Sequence, residues 1–358
     1  MDTEKRLSLI KEVGEEILTE EELRDLLEQK AHPVAYDGFE PSGNVHIAQG
    51  LMRAININKM TQAGVRFKMW VADWHAWANN KMGGDLEKIQ TVGNYLIEVW
   101  KACDLDLSHI EFVWANDAIQ DAEYWKKVMQ VARSSTVNRI VRCGQIMGRS
   151  ESDVLQASQI LYPCMQAADI FHLEADITQL GMDQRKVNVL ARELGPKLGY
   201  WKPVVVSHHM LMGLLEPSSE TEDKTQRTID LKMSKSNPDS AIFMTDNREE
   251  IVRKLEKAYC PAKLVDENPV IEYLQHIIFE RFEDVTVERP EKFGGDVSYS
   301  SLDELKEAYA SGALHPLDLK KSVAAYIDKL VSPVRKHFET NSKAHALLEE
   351  VQSFKVTR

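Results

Sequence analysis

A parallel α/β sheet followed by a mostly helical C-terminal region is the fold that this 358-residue chain predicts. Three observations carry it. Strand-like runs at residues 34–36, 65–72, 110–114 and 203–207 alternate with helical segments at 47–63, 86–103, 160–173 and 184–194, the order of β-α-β units. A Gly/Pro/Ser turn over residues 38–50 joins the first strand to the first helix, the place where open sheets collect ligands. From about residue 240 the apolar spacing is helical, over 247–257, 270–282 and 319–338.

The elements follow in order. Glu12, Glu15, Glu16, Glu20, Glu21 and Glu22 make the first thirty residues too acidic for a transit peptide, and no apolar signal core is present. Thr19 with Glu22 fits a capping box that opens a helix through Leu23, Leu26 and Leu27, so residues 1–30 read as a helical segment. Leu51, Ile55, Ile57 and Met60 recur at helical spacing until Gly64, a C-terminal stop. Residues 117–159 are helical and carry Arg133, Arg139, Arg142 and Arg149 between sheet elements, as an inserted connection would. A Gly294-Gly295 turn and the His315-Pro316 step punctuate the C-terminal part.

The composition, 43% apolar and 28% charged, is that of a soluble globular protein with room for two domains. A net charge of −12 argues against general adhesion to nucleic acid but allows a local basic surface for one folded RNA. Cys103, Cys143, Cys164 and Cys260 lie far apart with no CxxC pair, which indicates reduced thiols rather than a disulfide framework or a zinc site. No stretch approaches the length of a membrane span.

The chemistry-bearing residues fall into three groups. Lys232-Met233-Ser234-Lys235-Ser236 sets two ammonium groups and two hydroxyls in a polar segment, suited to a polyphosphate whose charge grows during reaction, or to a solvated basic loop. His46 and Gln49 stand three apart where the first helix begins, and a helix start with free N–H groups favours an anion. Tyr162, Gln166 and Asp169 occupy one helix face at i, i+4 and i+7 among Leu161, Met165 and Ile170. Such polar groups among apolar ones need buried partners or a polar ligand. Asp183 and Gln184 then sit near the start of the next helix.

The pair His46-Ile47-Ala48-Gln49 and Lys232 to Ser236 resembles the two signatures of class I aminoacyl-tRNA synthetases. The second matches letter for letter. In the first, Ala48 replaces a glycine and Gln49 a second histidine, so a neutral amide would serve as the donor there. The 39–43, 72–76, 162–170, 181–186, 289–296 and 314–320 segments resemble the tyrosyl-tRNA synthetases of the archaeal and eukaryotic cytosolic type, in correct order from about residue 20 to 335.

That resemblance implies a Rossmann-like catalytic domain over 31–239, with a connective and dimer region at 117–159 and a mobile lysine-serine loop at 216–239. It implies a helical anticodon-binding domain over 240–358. It implies that Tyr36 and Asp169 hold a phenol hydroxyl, and that Tyr162, Gln166 and Gln184 hold an α-amino group. His46, Gln49, Lys232 and Lys235 would be catalytic, and Gly38, Ser42, Met233 and Ser234 would join them around ATP. Phe293 would stack on the first anticodon base, with Asp318 and His315 beside it, while Arg142 and Arg185 would read the acceptor stem. From the residues alone, Phe293 also fits a core aromatic and Asp318 a helix cap. The implied partners are L-tyrosine, ATP with Mg2+, tRNA(Tyr) and a second copy of the chain in the cytoplasm, with no tightly bound metal site and no membrane. Two other readings remain open from the residues: a different nucleotidyl transferase sharing the His-helix and Lys-loop pair, and a non-catalytic RNA-binding descendant.

Overall fold

The structure, a computed structural model, describes residues 1–147, 155–217, 227, 231, 233 and 237–354. Most of the expected 216–239 loop, including Lys232, Ser234, Lys235 and Ser236, lies outside the described residues, as does Arg149.

The N-terminal part runs α1 (Thr3–Val13), β1 (Glu16–Leu18) and α2 (Glu20–Gln29). The capping box at α2 forms as its sequence predicts: Glu22 N donates to Thr19 Oγ1 at 3.2 Å, and Thr19 N donates to Glu22 Oε2 at 3.2 Å. The reading of residues 1–30 as wholly helical is corrected by β1. Glu16, Ile17 and Leu18 pair antiparallel with Ser207, Val206 and Val205, a partner some 190 residues away that local spacing cannot reveal. Arg6 then ties this segment down. Its buried guanidinium donates to Ala63 O, Leu27 O and Ala31 O at 2.7, 2.6 and 2.9 Å, satisfying carbonyls that helix ends leave orphaned.

The sheet continues with β2 (Val34–Phe39), a π-helical turn (Ala48–Met52) and α3 (Arg53–Gln62), which ends at Gly64 with φ +84°, the left-handed stop the sequence marks. Next come β3 (Arg66–Val71), α4 (Asp73–Ala78), α5 (Leu86–Lys101), β4 (Ile110–Trp114), α6 (Ala115–Ala118), α7 (Ala122–Arg133) and α8 (Val137–Cys143). Then α9 (Ala157–His172), β5 (Ile177–Thr178), a 3-10 turn (Met182–Gln184), α10 (Arg185–Leu194) and β6 (Val204–Ser207) complete this half.

The strand order is β1-β6-β5-β2-β3-β4, parallel except for β1. The chain winds outward from β2 through β3 to β4, then returns to the other side of β2 for β5 and β6. The reversal between β2 and β5 is a topological switch point, where the carboxyl ends of the strands diverge and leave a crevice. Alternation along β2 turns Ala35 and Phe39 to one apolar core, while Tyr36 faces the other with Trp70.

The C-terminal part contains α11 (Arg248–Lys257), α12 (Pro269–Tyr273) and a short antiparallel hairpin of β7 (Val285–Val287) and β8 (Val297–Tyr299). It ends with α13 (Leu302–Ser311), α14 (Pro316–Thr340) and α15 (Ser342–Ser353). The helix expected over 270–282 stops short, passing into a π turn at Leu274–Ile278, and the hairpin was not foreseen. Asp318 does not cap α14. His315 does, with Leu317 N donating to its Nδ1 at 3.2 Å, because Pro316 fills the first helical position. Leu319, Val323, Ile327, Val331, Val334 and Phe338 form the buried stripe of α14, and Phe338 meets Tyr95 of α5 with ring centroids 5.4 Å apart. His337 Nε2 lies 2.8 Å from Glu98 Oε2, so these helices fold back on the sheet half. All four cysteines are free and buried. Among the described residues no helix is long and apolar enough to cross a membrane.

Candidate active site

A cavity of about 920 Å³ opens at the switch point, and Tyr36, Gly38, Ser42, His46, Gln49, Tyr162, Gln166, Asp169, Gln184 and Met233 all line it. The structure thus brings together every described residue of the expected amino-acid and nucleotide sites. For the rest of the lysine-serine motif the arrangement lies outside the described residues.

At one end sits Asp169, carried by α9 and almost wholly buried. Tyr124 Oη donates to its Oδ1 at 2.9 Å, and His75 Nε2 lies 2.9 Å from its Oδ2. Burial alone would pull the His75 pKa down, but the adjoining Asp169 charge outweighs it and the net shift is upward. The Tyr36 hydroxyl is fully buried in the same end and makes no hydrogen bond among the described residues. Burial, with the Asp169 charge beside it, holds that phenol well above its usual pKa, so it is neutral and able to donate or accept. A buried hydroxyl without a partner beside a carboxylate marks a place for a polar ligand atom.

Along the cavity wall, Gln166 Nε2 donates to Gln184 Oε1 at 3.0 Å and Gln184 Nε2 donates to Ile146 O at 3.2 Å. Those bonds orient both amides and leave Gln166 Oε1 free of either bond. Tyr162 is buried beside Glu40, whose carboxylate takes Asn79 Nδ2 at 3.0 Å. Desolvation and then the Glu40 charge raise the Tyr162 pKa far above normal. A carboxylate with tyrosyl and amide oxygens on the same wall suits a cationic amine.

The other end is built by zipping the His46 segment to a later one. Ile47 N donates to Ile242 O at 2.9 Å and Met244 N to Val45 O at 2.8 Å, with His46 bridging Phe243. Gly50 makes this approach possible, since a β-carbon there would lie 2.4 Å from Met244 Sδ. His46 O accepts from Gln49 N and Gly50 N at 2.9 and 3.0 Å, which sets the turn that carries Gln49. The Gln49 side-chain Oε1 is buried without a partner among the described residues.

Under the cavity lies a buried network that sequence reasoning missed. Asp37 of β2 and Arg53 of α3 stand 2.9 Å apart, and Arg53 also reaches the Gln179 side chain and His208 Nδ1, the latter at 3.2 Å. His208 in turn holds the Gly181–Gln184 turn, with Met182 N donating to His208 O at 3.1 Å. Tyr124, His75 and Glu40 were also without assigned roles. A signal existed for Asp37 and Arg53, charged residues at positions where strand and helix periodicity call for apolar ones. Tyr124 offered none.

The expected RNA contacts lie elsewhere. Phe293 is 62% exposed in the turn after β7, with Lys292 Nζ 4.9 Å above its ring, so the core-aromatic alternative is excluded. Arg289 Nη1 donates to Ala313 O at 3.2 Å, holding that hairpin against the loop that leads to His315 and Asp318. Arg185 is ion-paired with Glu16 of β1 at 2.7 Å, and Arg142 is exposed at the end of α8.

Residues 28–332 match the family described as tRNA synthetases class I (W and Y). The chain is 52% identical over its whole length to cytoplasmic tyrosine–tRNA ligase 1 of Arabidopsis thaliana, covering 90% of that protein. It is 42% identical to the tyrosine–tRNA ligase of Pyrococcus abyssi, each chain covered in full. The tyrosyl-tRNA synthetase of Pyrococcus horikoshii, solved with L-tyrosine, superposes with a TM-score of 0.91 at 41% identity over 98% of this chain and all of that one.

The chain therefore belongs to the class I tRNA synthetases of the tryptophan and tyrosine group. Within that group it is one of the tyrosyl-tRNA synthetases of archaeal and eukaryotic cytoplasmic type, with the activity of a tyrosine–tRNA ligase.

Proposed function

We propose that the cavity takes L-tyrosine at its Asp169 end and ATP at its His46 end, and joins them as tyrosyl-adenylate. The observation that carries this reading is the buried, unpartnered Tyr36 hydroxyl beside the Asp169 carboxylate. Asp169 accepts from the substrate phenol and Tyr36 completes the contact, while phenylalanine would leave both groups unpaired at a cost. Tyr162, Gln166 and Gln184, with Glu40 behind Tyr162, receive the α-ammonium group and leave the carboxylate facing the nucleotide.

Gly38, Ser42, His46, Gln49 and Met233 surround ATP, and Lys232, Ser234 and Lys235 approach its phosphates. Mg2+ enters on the ATP phosphates as part of the substrate, the usual form for a cation that keeps much of its hydration. The tyrosine carboxylate oxygen attacks the α-phosphorus, the bond to the bridging oxygen breaks, and pyrophosphate leaves. No enzyme nucleophile is required, so catalysis is alignment plus stabilisation of growing phosphate charge by His46, Gln49 and the two lysines. A ribose hydroxyl of the terminal tRNA adenosine then attacks the adenylate carbonyl and AMP departs.

For the RNA, Phe293 stacks on an anticodon base with Asp318 and His315 beside it, and Arg142 and Arg185 face the acceptor stem. The chain divides at about residue 240 into catalytic and anticodon-reading parts, pairs with a second copy through residues 117–159, and works in the cytoplasm. The cytoplasmic names of two Arabidopsis relatives support the location.

Pyrophosphate exchange into ATP, measured with each of the twenty amino acids in turn, tests the reading. Exchange with tyrosine alone is expected; exchange driven by another amino acid and not by tyrosine would overturn it.

A further inference from the structure

We propose that Tyr124 and His75 are specificity-determining positioning residues, which orient the Asp169 carboxylate, Tyr124 by a hydrogen bond to Oδ1 and His75 by its close approach to Oδ2, so that it accepts from the substrate phenol. The inference rests on the reading of Asp169 as the phenol acceptor and adds the residues that make it one.

A carboxylate on its own is poorly aimed. The terminal torsion of an aspartate is broad and two-fold, and each oxygen offers two lone-pair directions. Here each oxygen has its own neighbour. Tyr124 comes from α7, in the 117–159 region to which the family resemblance gives subunit contact, yet its ring is fully buried and its Oη donates to Asp169 Oδ1 at 2.9 Å. His75 comes from α4 on the other side and places Nε2 2.9 Å from Oδ2. The imidazole is itself fixed edge-on, with its centroid 5.2 Å from the Tyr162 ring at 85° and 6.4 Å from Trp70 at 77°. The Tyr124 bond fixes Oδ1 and the His75 ring stands against Oδ2, which holds the carboxylate in rotation, while Oδ2 makes no hydrogen bond among the described residues and keeps its acceptor capacity beside the Tyr36 hydroxyl.

Tyr124 does not line the cavity and acts through Asp169, whereas His75 reaches the cavity wall beside Asp169 Oδ2. That separates them from residues that only pack α7 and α4 on α9. Loss of packing would lower turnover of every amino acid alike. Loss of aim would penalise tyrosine, which needs the acceptor, and spare phenylalanine, which does not.

The test is kcat/KM for tyrosine and for phenylalanine in ATP–pyrophosphate exchange, in Tyr124→Phe, His75→Ala, His75→Gln and Asp169→Ala. Tyr124→Phe is expected to lower the tyrosine-to-phenylalanine ratio about tenfold or more, the size of one hydrogen bond to a charged group, and His75→Ala to lower it as well, each through the tyrosine value alone. His75→Gln keeps an N–H donor and should recover part of the ratio. Tyr124→Phe removes only a hydroxyl, so it preserves a folded readout should His75→Ala fail to fold. An unchanged ratio in Tyr124→Phe and the His75 variants, with a collapsed ratio in Asp169→Ala, would overturn the inference and leave the Asp169 reading standing. An unchanged ratio in Asp169→Ala would overturn both.

Discussion

Asp37 Oδ2 and Arg53 Nη2 stand 2.9 Å apart beneath the cavity, with side chains that are 5% and 2% exposed. The pair joins β2, which carries Tyr36, to the first residue of α3, just after the turn that carries Gln49. Through Gln179 and His208 it also reaches the ends of β5 and β6. One buried cation therefore connects the elements of both half-sites.

Removing only one member of that pair should be costly. Arg53→Met leaves the Asp37 carboxylate buried without its counter-charge, and a loss on the order of 3–5 kcal/mol is expected. Replacing both, as Asp37→Asn with Arg53→Met, should recover much of it. Urea unfolding of the single and double variants checks this; equal losses in the two would show that the ion pair is not what Arg53 contributes.

His209 gives stability a pH dependence. Its Nδ1 lies 2.9 Å from Glu15 Oε2 and its Nε2 3.2 Å from Glu272 Oε2, joining the N-terminal segment to α12. Burial alone lowers its pKa, but the two carboxylates raise it to about 9 from 6.5. A group whose folded pKa is raised holds its proton more tightly in the native state. Its contribution is therefore complete below pH 6.5 and is lost as pH rises through about 9. Wild-type unfolding free energy should fall across that window, by about 3 kcal/mol at most, and His209→Gln should lack that part of the slope. Parallel slopes for the two proteins would remove His209 from the account.

Lys235→Ala should lower the rate of adenylate formation by about 100–1000-fold, the usual effect of deleting one donor to a developing charge. Tyrosine affinity should hardly change, because Asp169, Tyr36 and the two glutamines remain in place. Single-turnover adenylation beside equilibrium tyrosine binding makes the comparison. A large loss of tyrosine affinity would contradict the role given to this lysine.

Local pattern made part of this site readable in the sequence. Tyr162, Gln166 and Asp169 interrupt an apolar helix face at fixed spacing, and the structure buries all three in the cavity wall. Thr19 and Glu22 spell a cap through contacts three residues apart, and Gly64 marks a stop through its own backbone conformation. What escaped depends on distant partners. Tyr124 matters because α7 crosses α9 at Asp169, and nothing near residue 124 encodes that meeting. The three residues of β1 form a strand only because the edge of β6 is there to pair with them. Arg53 and Asp37 broke the apolar pattern of their elements, a visible anomaly whose meaning needed the fold to bring the two charges together.

The central claim is that the far end of the cavity recognises the para oxygen of tyrosine, and a crystal structure of the protein with L-tyrosine bound tests it most directly. The account predicts the phenolic oxygen within hydrogen-bond distance of both Tyr36 Oη and the Asp169 carboxylate, with the α-amino group toward Tyr162, Gln166 and Gln184. A ring whose hydroxyl points away from residues 36 and 169 would contradict it.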